Sequence, residues 1–317
     1  MATFQAGAMP MPFDEADPLA RSMNTAHGLL NRGLYAEAAA EYRLAIDGFD
    51  ESGERVRQLE ALYGYGIALA RSGEIDDAID ALEEVSRSNS TAFRADATSL
   101  LADLLRSTGR FDEAADAAED FLVRFDDHAA RSAVVAIAVE CRQRTGQNQR
   151  AISLFEEYRG QLRLSPAHHE RATLFAGMAS ADHEPDRAID LFRRLVNDTS
   201  DPVVREQARW RLGTTLLTAE RASDAVHTLR DAVEHSSEAT REHASFSLGS
   251  ALRVSGDPAD AVVVLRDLRE QATNFQPGEV GFELGIAELQ AGEAHAATQT
   301  LGHAIDKLQG EAATVAR

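Results

Sequence analysis

The side chains best equipped for chemistry are few, and their spacing works against it. His168 and His169 are adjacent, so on one helix they point to different faces and cannot share a zinc ion. No HExxH motif and no cysteine pair accompanies them. Cys141 is the single cysteine, and no His stands at a recognisable nucleophile spacing from it, so it reads as a small core side chain. The one lysine, Lys307, follows Asp306 and not a glycine, which excludes a phosphate-binding P-loop. Gly64 and Gly66 form a Gly-x-Gly inside a predicted helix, where no loop is free to cradle a phosphate. Acidic pairs at Asp76-Asp77, Glu83-Glu84, Asp126-Asp127 and Glu156-Glu157 are what a solvated helix face carries. From these residues we expect no enzyme activity, no metal site and no cofactor.

The composition narrows the classes further. The chain has 317 residues, 44% apolar and 26% charged, normal for a folded protein. Alanine is very frequent, at 56 residues, while Gly and Pro together number only 29, which favours helices packed closely through small side chains. The net charge of −20 is spread along the chain and reads as a solvated surface or as a preference for basic partners. Nucleic acid is disfavoured, because phosphate binding needs clustered Lys and Arg. No stretch is apolar for the roughly 18 residues of a membrane span. Residues 1–18, with Pro10, Pro12 and Pro18, read as a flexible leader without the basic and apolar regions of a secretory signal. A single cysteine leaves the fold independent of an oxidising compartment, so the cytoplasm is the expected address.

The elements that would position any site come from a repeat. RGLYAEAAAEYRLAI, SGEIDDAIDALEEV, TGRFDEAADAAEDF and TGQNQRAISLFEEY share one frame, continued by HEPDRAIDLFRRLV, ERASDAVHTLRDAV, GDPADAVVVLRDLR and GEAHAATQTLGHAI. The framing alanines are Ala38, Ala78, Ala114, Ala151, Ala188, Ala225, Ala261 and Ala297, at intervals of 36 to 40 residues. Each unit reads as two helices. The turn glycines Gly33, Gly73, Gly109, Gly146, Gly256 and Gly292 supply the positive φ that ends the first helix. Pro185 and Pro258 fall where a second helix begins and a missing N–H is harmless. Small residues recur inside the first helix at Ala26, Gly66, Ala102, Ala176, Gly213, Gly249 and Gly285, which predicts close approach of a neighbouring helix. Val139 breaks that row in the fourth unit, and His183 and Glu220 replace the turn glycine in the fifth and sixth.

Together these residues resemble the tetratricopeptide repeat (TPR), most fully at Gly33-Leu34-Tyr35-Ala36-Glu37-Ala38 and Gly109-Arg110-Phe111-Asp112-Glu113-Ala114. The resemblance covers residues 19–309 as repeats at about 19–52, 59–92, 95–128, 132–165, 169–202, 206–239, 242–275 and 278–309, followed by a tail at 310–317. It implies an all-α, right-handed superhelical solenoid of about eight helical hairpins. No clear capping helix follows the eighth repeat, so the final helix, Glu293–Leu308, is either the cap or a partner-binding face.

In such proteins the first helix of each unit lines a concave face. Carried over, the fifth position of each repeat faces that groove: Met23, Tyr63, Ser99, Ala136, Thr173, Trp210, Phe246 and Phe282. Trp210, Phe246 and Phe282 form an aromatic row of the kind enriched at binding hot spots. The alternative is that these rings tuck between helices in place of the core aromatic one position earlier, where Arg209, Ser245 and Gly281 stand. Further groove candidates are Arg211, Arg253, Glu283 and Gln290, then Asp103, Arg106, Glu140 and Arg144, then Asn24, His27 and Asn31. The Lys/Asn clamp that some members use for a C-terminal carboxylate is absent. The resemblance implies a scaffold or adaptor for a protein or peptide partner, basic or apolar in character. A self-associating structural protein and a regulator of an enzyme or signalling partner stand as alternatives.

Overall fold

The computed structural model describes residues 18–49, 55–88, 93–271, 273, 275 and 277–315. The expected leader falls almost entirely outside them. The chain divides into two compact units, Met1–Thr145 and Gly146–Arg317. Unit 1 holds α1 (Pro18–Asn31), α2 (Tyr35–Gly48), α3 (Arg55–Ser72), α4 (Ile75–Arg87), α5 (Arg94–Ser107), α6 (Phe111–Arg124) and α7 (Arg131–Arg144). Unit 2 holds α8 (Asn148–Glu157), the single turn α9 (Arg159–Leu162), α10 (Pro166–Ser180), α11 (Pro185–Asp198), α12 (Pro202–Thr218) and α13 (Ala222–Glu234). It continues through α14 (Glu238–Ser255), α15 (Pro258–Gln271), α16 (Pro277–Gln290) and α17 (Ala294–Val315). The fold is an all-α repeat solenoid, with no strand among the described residues. The last helix continues through 310–315, the stretch expected as a tail.

The turns are built alike. All six turn glycines have φ between +75° and +97°. In five of these turns the residue after the glycine donates its N–H to the carbonyl five residues back: Leu34 to Leu29, Glu74 to Leu69, Arg110 to Leu105, Asp257 to Leu252 and Glu293 to Glu288. That bond reverses the chain and satisfies a helix-end carbonyl. Repeat six makes the same bond, Arg221 to Leu216, without glycine; Glu220 is the one non-glycine with positive φ among the described residues, at +59°. Repeat five departs. Its turn has no positive φ, and Glu184 donates to Ser180, one residue short of the common pattern.

Each framing alanine then donates a backbone bond to the carbonyl four residues back that opens the second helix, as from Ala38 to Leu34 and from Ala225 to Arg221. All eight alanines are at most 1% exposed, which accounts for their regularity. Pro185 and Pro258 open second helices as expected. Pro166, Pro202 and Pro277 open first helices in the same way, and Asp201 caps α12 by accepting from Val203 N at 2.8 Å.

The internal glycines mark close approach. A Cβ at Gly66 would stand 2.8 Å from Leu82, and one at Gly285 2.5 Å from Leu301. Gly213 and Gly249 are closed off in the same way by Leu229 and Leu265. In each of these four hairpins a second-helix leucine therefore occupies the space above a first-helix glycine. The core of unit 2 runs continuously from Leu174 to Ala287 through these seams.

Candidate binding face

Within unit 2, α10 packs on α12, α12 on α14 and α14 on α16, in addition to the contacts inside each hairpin. No second helix of the unit packs comparably on another second helix among the described residues. Helices that touch in succession form the inner side of a curved stack, so the first helices of unit 2 make its continuous face.

The seam between successive first helices explains the fifth positions. Met23, Ser99, Ala136 and Thr173 are buried, so they cannot line a groove as expected. All four side chains are smaller than an aromatic ring, in keeping with a narrow seam. Larger rings outgrow it. Trp210 and Phe246 pack against the unit 2 core yet are only partly buried, and Phe282 is 44% exposed. Tyr63, in unit 1, is half-buried and stacks on Phe93 at 5.7 Å between centroids; burial raises its hydroxyl pKa further above the ordinary value, with a smaller contribution from Asp96.

Trp210 and Phe246 belong to one aromatic cluster. The Trp210 indole N–H donates to Ser247 Oγ at 3.2 Å, tying α12 to α14. His243 lies 5.0 Å from Trp210 and 5.0 Å from Phe275, and Phe246 stacks on Phe275 at 4.8 Å. Sequence reasoning missed His243 and Phe275. The available signals were the helical i, i+3 spacing of His243 and Phe246, and the place of Phe275 just before the proline that opens α16. Phe282 stands apart from the cluster, without a ring contact among the described residues.

Arg211 lies over the Trp210 ring at 4.1 Å from its centroid and is half-buried. Burial lowers its pKa, and no hydrogen-bond or ion-pair partner approaches its guanidinium among the described residues. The other arginines expected from the sequence to line a groove, Arg253 in unit 2 and Arg106 and Arg144 in unit 1, are paired. Arg253 donates to Glu283 at 3.1 Å, Arg106 to Asp103 at 2.6 Å and Arg144 to Glu140 at 3.0 Å. Glu140 is only 2% exposed, so its place in a groove is corrected: it is a buried acceptor for Arg144 and is closed to a partner. His27 packs edge-on against Tyr42 at 5.6 Å, and burial lowers its pKa. Asn24, Asn31 and Gln290 are exposed.

A second set of acids, also missed, closes the hairpins. Glu170 accepts from Thr199 Oγ1 at 2.7 Å; Glu206 accepts from Ser237 N at 3.0 Å and from its Oγ; Glu242 accepts from Thr273 N at 3.1 Å and Oγ1 at 3.0 Å. Each is a first-helix carboxylate clasping the segment that leaves its own hairpin. Their 36-residue recurrence was the available signal. Among the described residues no group of three or more His, Cys, Asp or Glu is arranged to hold a metal, and no helix is long and apolar enough to cross a membrane.

The tetratricopeptide repeat family matches residues 23–90, 63–130 and 211–277, together more than half of the chain. No curated protein matches it. Among solved structures, a tetratricopeptide repeat protein from Parabacteroides merdae aligns over 85% of this chain and 98% of its own, at 11% identity and a TM-score of 0.55. The apo form of RapI aligns over 93% and 87%, at 11% identity and a TM-score of 0.63. A signal transduction ATPase with numerous domains from Pyrococcus horikoshii, with a tetratricopeptide repeat sensor, aligns over 90% of this chain and 45% of its own. Its identity is 12% and its TM-score 0.63. At these identities the likeness is one of fold.

Proposed function

The chain belongs to the tetratricopeptide repeat family, and from that premise we propose that it is a non-catalytic scaffold that holds a segment of a protein partner against the first-helix face of unit 2. One observation supports this reading most. On that face the rings of Trp210, Phe246 and Phe282 overflow the seam that hides smaller residues at the same position elsewhere, and so offer aromatic surface to a partner. Partly exposed aromatics over a rigid support are effective anchors, because their contact area is large and little side-chain freedom is lost on binding. One similar structure carries its repeats as a sensor, which accords with a binding role.

The test is selection of short random peptides on the full chain, followed by affinity measurement for wild type and Phe282→Ala. The reading expects a specific set of peptides, bound roughly tenfold or more weakly by the variant at an unchanged melting temperature. Failure to select any peptide, or equal binding by the variant, overturns it.

A further inference from the structure

The overall charge of −20 favours a basic partner, but the chemistry beside Trp210 favours the opposite. The central carbon of the Arg211 guanidinium lies over the indole, 4.1 Å from the ring centroid, so the cation rests on an aromatic face and not against an acid. Arg106 and Arg144 in unit 1 and Arg253 in unit 2, all on first helices, meet carboxylates of their own layer. Arg211 meets none among the described residues, although burial disfavours its charge. A half-buried cation without a counter-ion is incompletely satisfied, and a planar carboxylate with two acceptor oxygens fits its donors.

We infer that Arg211 and the Trp210–His243–Phe246–Phe275 cluster form a subsite for an acidic side chain flanked by an apolar one within a partner segment. This deepens the scaffold reading and rests on it. The apolar neighbour would lie on the exposed ring edges while the carboxylate meets the guanidinium. A side chain within the segment is favoured over a chain end by the place of α12. It packs on α10 to one side and on α14 to the other, so a segment lying along these helices passes Arg211 in both directions.

The experiment uses the full chain and bead-displayed random peptides, acetylated and amidated so that every carboxylate belongs to a side chain. Wild type is expected to enrich peptides with Asp or Glu next to an aromatic or aliphatic residue. Arg211→Gln should weaken those peptides about tenfold or more, and replacing the peptide acid by its amide should cause the same loss. Combining both changes should add little further loss, as expected for groups that meet each other. Arg211→Lys, which keeps the charge and loses the fork, should fall between. Circular dichroism and melting of each variant separate loss of binding from loss of folding. Enriched peptides that lack acids, or that bind Arg211→Gln as well as wild type, overturn the inference and leave the scaffold reading standing. In a parallel free-acid library, binders whose affinity depends on the terminal carboxylate and not on a side-chain acid also overturn it. A library that yields no binder of any composition overturns the scaffold reading itself.

Discussion

Phe282 and Trp210 occupy the same repeat position, yet truncating them should have different consequences. Phe282 is 44% exposed and has no ring neighbour among the described residues, so Phe282→Ala should lower partner affinity and leave thermal stability nearly unchanged. Trp210 packs against the core, donates to Ser247 and supports Arg211. Trp210→Ala should therefore cost roughly 2 kcal/mol by chemical denaturation, less than the truncation of a fully buried ring. Sequence spacing placed these rings on one row but could not rank their exposure. Exposure depends on the width of the seam between α12, α14 and α16, which no single repeat encodes. That Arg211 meets no acid among the described residues was equally hidden, since nothing in the local sequence separates it from Arg253, which finds Glu283.

At the scale of the helical hairpin, the period, turn glycines and framing alanines were legible because each serves a local backbone requirement. Glu220 shows how firm that requirement is. It adopts φ +59° where the other such turns use glycine. Glu220→Gly should relieve the strain and raise stability by about 1 kcal/mol, visible as a higher melting temperature. Glycines inside the first helices sort by what faces them. Gly213→Ala should destabilise by roughly 1–3 kcal/mol, because the new methyl meets Leu229. Gly28→Ala, with nothing within 4 Å, should stabilise by about 0.5–1 kcal/mol through helix propensity. The acid clasps escaped a reading keyed to apolar and small residues, since a surface glutamate looks the same whether it is solvated or clasping a loop.

One clasp predicts a pH dependence. Burial alone would raise the Glu206 pKa, but bonds from the Ser237 and Thr240 side chains, then the Ser237 N–H and the charge of Arg241, together hold it below the ordinary value of 4.5. A carboxylate depressed in the folded state contributes stability above its unfolded pKa and loses it as the pH falls through its folded one. Glu206→Gln should therefore narrow the stability difference between neutral and acid pH, measured by urea denaturation across that range.

Across the whole molecule, each hairpin touches only its sequence neighbours within a unit, so disturbances should stay local. In Gly213→Ala, hydrogen exchange should accelerate first in α12, α13 and the helices beside them, while α1 to α6 keep their protection. The all-α class and the repeat count were readable from sequence because they need only periodicity. The first-helix face was reached only through the family resemblance, because which helices of successive hairpins touch is written in no single repeat. The most direct test of the central claim is hydrogen exchange of the full chain with and without a selected peptide at saturation. The account predicts slower exchange or shielding along α12, α14 and α16 and in the segment around Phe275, with α11, α13 and α15 little changed. Protection confined to α11, α13 and α15, or to unit 1 alone, would contradict it.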